Sequence, residues 1–155
     1  DLAVVLSEKR RKGEGVTLRR TKFVWVAADG FDLPAGASLP LAFAPAPCVD
    51  RRVGLKALSL TSVKSHIAFT SPSQEGIRTA VLAGIAAAVQ LENDVKPGMR
   101  IIDGRFGLPP LPKAEFTLAS RSGRQTPAAV EFSRLLQTIS QPSAAPLRPM
   151  RPANR

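Results

Sequence analysis

The sequence predicts an α/β protein. Three observations carry that expectation. β-Prone apolar runs alternate with helical patterns, hydrophobic residues fill 44% of the 155 positions, and Pro, Gly or a charge breaks every apolar run before the roughly 18 residues of a membrane span. The apolar share suffices for a packed core, so the expectation is a soluble chain with no membrane partner, built as one compact domain or two small lobes.

Taken in order, Asp1–Leu6 is an apolar strand-like run, which implies a chain that starts inside a domain, with no signal peptide ahead of it. A Gly- and Lys/Arg-rich loop, Ser7–Gly15, leads into Val16–Ala28, a long β-prone stretch. Asp29-Gly30 and Pro34-Ala35-Gly36 mark a loop before the short strand Leu39–Phe43, and the Pro-rich turn Ala44–Pro47 follows. In Asp50–Ser59, Val53, Ala57 and Leu58 are spaced by Arg51, Arg52 and Lys56, an amphipathic helical pattern. Ser65–Thr70 reads as a strand with Ile67 and Phe69 on one face. Ser71-Pro72-Ser73 then opens a helix, with a Ser cap, Pro at the first helical position, Glu75 in the first turn and Gly84 as its end. The run Ile85–Leu91 is strand-like, Lys96-Pro97-Gly98 is a turn before Met99–Ile102, and the prolines of Leu108–Pro112 stiffen an extended connection. Ala114, Phe116 and Leu118 alternate as a strand, and Thr126-Pro127 starts a helix in which Val130, Leu135 and Ile139 alternate with Phe132 and Leu136. The Pro-, Ala-, Ser- and Arg-rich residues 141–155 bury nothing and are expected to form a disordered tail.

The formal net charge of +10 is unevenly spread. Residues 8–22 carry seven Lys/Arg against two Glu, and Arg148, Arg151 and Arg155 add three more without an acid. None of the seven Phe or the single Trp lies inside a basic run, so the stacking pattern of a nucleic-acid interface is missing and a solvated loop is favoured. No catalytic constellation is present. His66 is the one histidine, mid-strand and without a Ser or Cys partner in a plausible elbow; Cys48 follows a Pro turn near a helix start without a base beside it. A single Cys forms no internal disulfide, no Cys/His cluster offers a zinc site, and neither GxGxxG nor GxxxxGK[ST] occurs. The expectation is a cytoplasmic non-enzyme without cofactor. The features with chemistry are two helix starts, at Pro47-Cys48 and at Ser71-Pro72-Ser73, whose free N–H groups suit an anion if they converge on one rim of a sheet.

An ordered set of motifs resembles the C-terminal effector-binding domain of LysR-type transcriptional regulators. It comprises Asp1–Val5, Phe23–Ala28, Leu39–Ala42 with Cys48 and Arg51-Arg52, Thr70–Ser73, Ala80–Ala86, Pro97–Ile102, Gly107–Pro112, Glu115–Arg121 and Thr126–Ala129, over residues 1–140. Ala86 stands where the family often has a second Gly. The resemblance implies a type II periplasmic-binding-protein-like fold, two α/β lobes joined by two crossover strands, with a small effector between them. Residues 1–28 and 114–140 would form a partial first lobe and 29–113 the second. Carried over by position, Cys48, Thr70, Ser71 and Ser73 would meet the effector from the second lobe, and Leu6 and Ser7 from the first.

The family's winged helix-turn-helix, its linker helix and the opening strand, helix and next strand of the first lobe are not found, so the resemblance implies a truncated chain with an incomplete first lobe. DNA would be met only through that absent winged helix-turn-helix, and the full-length protein would be a homo-oligomer. The leading expectation is a module that binds a small, carboxylate-bearing metabolite and controls transcription. A transporter's solute-binding protein of the same fold, and a basic adaptor that binds nucleic acid through Lys9–Lys12 and the tail, are the alternatives.

Overall fold

The computed structural model describes residues 2–8, 15–120 and 125–140. The basic segment Lys9–Lys12 and residues 141–155, with the expectations placed on them, lie outside the described residues. The described strands are β1 (Leu2–Ser7), β2 (Val16–Ala28), β3 (Leu39–Phe43), β4 (Ser65–Thr70), β5 (Ala88–Leu91), β6 (Met99–Ile101) and β7 (Lys113–Ser120); the α-helices are α1 (Val49–Leu58), α2 (Gln74–Leu82) and α3 (Pro127–Ser140). Short 3₁₀ turns at Glu92–Asp94 and Arg105–Gly107 were not foreseen from the sequence.

β2 is the shared strand. Its first half pairs antiparallel with β7, from Val16 opposite Leu118 to Lys22 opposite Lys113. Its second half pairs with β5, Phe23 opposite Leu91, and with β6, Val26 opposite Ile101. β1 lies on the other edge of β7, Leu2 opposite Ser120 and Ser7 opposite Glu115. β3 and β4 run parallel, and β3 is joined to the segment entering β5 by a bridge at Leu41 and Ala87, where Ala42 N–H donates to the Ala87 carbonyl at 2.8 Å.

The apolar run Phe23–Ala27 is buried throughout because both faces of this part of the sheet are covered. Alternation along the strand divides it between two core clusters. Phe23, Trp25 and Ala27 join Leu39, Leu41, Phe43, Val89 and the Val53 and Leu58 of α1; Val24 and Val26 join Ala42, Ala88, Met99 and the Ile77, Ala80 and Val81 of α2. Trp25 also anchors the Pro-rich connection, its Nε1–H donating to the Pro109 carbonyl at 2.9 Å and its backbone N–H to Asp103 Oδ1 at 2.8 Å.

Helix boundaries follow capping chemistry. α2 begins two residues later than the sequence pattern implies: Ser73, not Ser71, is its N-cap, with an extended backbone and Oγ accepting from Gly76 N–H at 3.4 Å. Ser71 Oγ instead accepts from Ser73 N–H at 3.1 Å, so Pro72 sits inside a polar turn ahead of the helix. At the other end Gly84, at φ +71°, closes a Schellman motif, with Gly84 N–H donating to Val81 and Ile85 N–H to Ala80. That turn uses the start of the strand-like run Ile85–Leu91, of which only Ala88–Leu91 is a strand. α3 is capped by Thr126, whose Oγ1 accepts from Ala129 N–H at 3.2 Å, but none of its residues is buried.

Gly54, in α1, faces the core. A Cβ there would come within 2.9 Å of Phe43 Cζ and of Val89 Cγ2. Alanine would gain about 1 kcal/mol in helix propensity, against an overpacking cost of about 1–3 kcal/mol in a site closed by a ring and a branched side chain. Gly54→Ala is expected to lower stability by about 1 kcal/mol net, read as a lower urea midpoint at unchanged m-value.

Candidate ligand-binding site

Phe43 lies opposite Thr70 at the ends of the parallel strands β3 and β4, so α1 and α2, each following its strand, begin on the same rim. Open α/β sheets gather ligands beyond the carboxyl ends of their strands. The rim is met by the end of β1, where Leu6 packs against the core cluster that contains Val53 and Leu91, and Glu8 pairs with Arg52 of α1.

Between these elements lies a cleft of about 270 Å³, lined by Leu6, Cys48, Val49, Asp50, Gln74, Arg78, Gln90, Leu91 and Asp94. A neighbouring hollow of about 390 Å³ shares Leu6, Cys48 and Val49 and reaches Arg51, Arg52 and Leu55. Of the residues singled out in the sequence, Leu6 and Cys48 line both. Thr70, Ser71 and Ser73 stand on the same rim without lining the cleft, and the Ser71 and Ser73 oxygens are engaged by the backbone turn that starts α2. Ser7 is half-buried at the end of β1, opposite Glu115. His66 is exposed on β4, its Nδ1 3.0 Å from Ser38 Oγ.

The remaining lining residues were not foreseen as site residues. Cys48 is the N-cap of α1 but makes no side-chain capping bond, so the first N–H groups of that helix have no side-chain acceptor from it. Arg78 projects from α2 with one terminal nitrogen on Glu75, while its buried Nε has no partner among the described residues. Gln90, 6% exposed on β5, has its Oε1 likewise unpartnered. Both residues line the cleft, so its wall holds a shielded donor and a shielded acceptor without partners among the described residues, and leaving each unpaired costs about 1–3 kcal/mol. Burial pushes the Asp50 carboxyl up to about 6, the Asp94 charge adding to the shift and a hydrogen bond from Gln74 opposing it. Among the described residues, no cluster of His, Cys, Asp and Glu is arranged to hold a metal ion, and no helix is long and apolar enough to cross a membrane.

Residues 1–140 match the model of the LysR substrate binding domain. The chain belongs to that family. Among relatives by sequence, the LysR-domain chain is 27% identical over 122 residues to the HTH-type transcriptional regulator DgdR of Burkholderia cepacia, covering 79% of this chain and 42% of DgdR. The chain therefore spans less than half the length of that relative. By structure it is similar to the regulatory domain of HypT from Salmonella typhimurium in its apo form, with a TM-score of 0.73, 14% identity and coverage of 90% of this chain and 72% of that one. It is also similar to the CcmR regulatory domain of Synechocystis PCC6803 in complex with 2-PG, with a TM-score of 0.67, 13% identity and coverage of 90% and 74%. Those likenesses show the type II periplasmic-binding-protein-like fold of LysR regulatory domains, and the relatives are transcriptional regulators, a non-enzymatic class.

A carboxyl raised from 3.8 to about 6 holds a proton in the folded chain that the unfolded chain has already released between those pH values. Stability therefore falls as pH rises through that window and levels off above it, the full cost being about 2–3 kcal/mol. Asp50→Asn is expected to raise the urea-unfolding free energy at pH 8 by about that amount and to change it little at pH 4; equal effects at both pH values would contradict the origin in burial.

Proposed function

We propose that the LysR-domain chain is the effector-sensing part of a cytoplasmic transcriptional regulator, and that a small carboxylate-bearing metabolite binds in the cleft between β1 and the N-termini of α1 and α2. The observation that carries this reading is the convergence of two helix N-termini with Arg78, whose buried Nε has no partner, on one cleft. A carboxylate placed there accepts from the Arg78 guanidinium and from the uncapped N–H groups of α1. Leu6, Ser7, Cys48, Thr70, Ser71 and Ser73 are the contacts proposed around it, Leu6 and Cys48 from the cleft wall and the others from its rim.

Residues 1–28 and 114–140 act in this reading as the partial first lobe, 29–113 as the second and 141–155 as a tail. β2 and β7 then serve as the crossover strands through which occupancy changes the angle between lobes. That change would be passed, in a longer homo-oligomeric protein, to a winged helix-turn-helix that binds DNA. The complex of the similar CcmR domain with 2-PG supports the use of this fold for holding a ligand.

A ligand that binds only the folded chain stabilises it by about 2.7 kcal/mol at about 100 Kd. In a thermal-shift screen against mono- and dicarboxylic acids, at least one acid is expected to raise Tm, and Arg78→Met is expected to weaken its apparent Kd by about tenfold or more, the worth of a charged hydrogen bond. If no acid shifts the wild-type Tm, or if Arg78→Met responds as the wild type does, the cleft is not a carboxylate site.

A further inference from the structure

We propose that the ligand of this cleft is amphoteric, carrying an ammonium group beside its carboxylate, as an α-amino acid does, with the ammonium held by Asp50, Asp94 and the Gln90 carbonyl oxygen. The proposal rests on the reading of the cleft as the effector site and names the class of molecule that the site takes.

The argument starts from the wall opposite in character to Arg78. A carboxylate alone uses the donors of this cleft, namely Arg78 Nε and the helix N–H groups. It leaves Gln90 Oε1 unmatched and adds nothing for Asp94 or for Asp50, which has a hydrogen bond from Gln74. Gln90 Oε1 is buried on a strand whose residues are all buried, and it has no donor among the described residues. Asp50, at the second helical position of α1, and Asp94, at the end of the 3₁₀ turn after β5, line the same cleft, and the Asp94 charge adds to the raising of the Asp50 carboxyl by burial. Arg78 is the single cation in the lining, and its guanidinium is already shared with Glu75.

A second carboxylate on the ligand would meet the like charges of Asp50 and Asp94, which disfavours it. A neutral hydroxyl satisfies Gln90 but brings no counter-charge for the two aspartates that line the cleft. An ammonium supplies three donors and one positive charge, and so answers Gln90 Oε1, Asp50 and Asp94 together. The cost of keeping Asp50 ionised against burial then becomes differential affinity, because the cation that relieves it arrives with the ligand.

Matched probes separate the charges. The chain is titrated by thermal shift with the standard amino acids, with their desamino carboxylic acids and with their decarboxylated amines. At least one amino acid is expected to bind at least about tenfold more tightly than its desamino acid, as a charge-assisted hydrogen bond is worth, and more tightly than its amine. Asp50→Asn and Asp94→Asn are each expected to reduce that preference by about tenfold; Asp94 is exposed, so its variant tests the idea without disturbing the core. Desamino acids that bind as tightly as the amino acids would overturn the ammonium assignment while leaving the carboxylate cleft standing. Binding that survives Arg78→Met with its amino preference intact would instead reject the carboxylate reading. Absence of binding by every amino acid, or a preference unchanged in both aspartate variants, also overturns the proposal.

Discussion

The double-sided burial of β2 is the constraint on which the rest of the structure depends. One strand passes from a region where it pairs with β7 to a region where it pairs with β5 and β6, and at that passage Phe23–Ala27 lose essentially all contact with water. Each of these side chains must be met by an apolar partner on its own face, so α1 covers one side and α2 the other. Burying aromatic side chains of this size supplies a large share of the area-driven stabilisation, at about 25 cal/mol per Å² of apolar surface. Because β3 hangs on the segment leading into β5, the positions of α1 and α2 follow from the same packing, and with them the rim on which the candidate site is built.

That dependence explains why so much of the fold was legible in the sequence. An unbroken apolar run with β-branched and aromatic residues marks a strand buried on both faces, and β2 occupies Val16–Ala28 as the pattern implies; β3 and β4 likewise coincide with their sequence patterns, and α1 does so within one residue. The errors occur where two local solutions compete. Ser71-Pro72-Ser73 contains two hydroxyls able to cap, and the backbone uses one for a turn and the other for the helix. Ile85–Leu91 is uniformly apolar, but its first residue completes the Schellman closure of α2. The 3₁₀ turns have too short a pattern to announce themselves.

The site was legible only at its ends. Cys48 could be singled out because a helix start is a local feature, whereas Leu6 entered only through the family resemblance. Asp50, Gln74, Arg78 and Asp94 come together only through tertiary packing of α1, α2 and the turn after β5, and a charged residue on an amphipathic helix looks the same in sequence whether it faces a cleft or bulk water. Gln90 alone carried a local signal. It is the one polar residue in the run from Ile85 to Leu91, and a polar side chain in a buried strand calls for a partner. The family match, by contrast, depended on the order of many weak motifs, which is why it reached the architecture before it reached the chemistry.

The cleft differs from the core beside it. Beside β2 some buried polar groups are paired, the Trp25 indole N–H with the Pro109 carbonyl and the Trp25 amide with Asp103, while Arg100 Nε and Thr117 Oγ1 on its neighbouring strands have no partner among the described residues. A few residues away Gln90 Oε1 and Arg78 Nε are buried without partners, and Asp50 stays ionisable where burial opposes its charge. Such groups lower the stability of the fold, and repacking with apolar residues of similar volume would remove that cost. What sets the cleft apart is that an unpartnered donor and an unpartnered acceptor there stand beside charged groups in one concave space, which is the basis of the proposed ligand site. A ligand that satisfies donor, acceptor and charge together recovers the free energy that the fold gives up there.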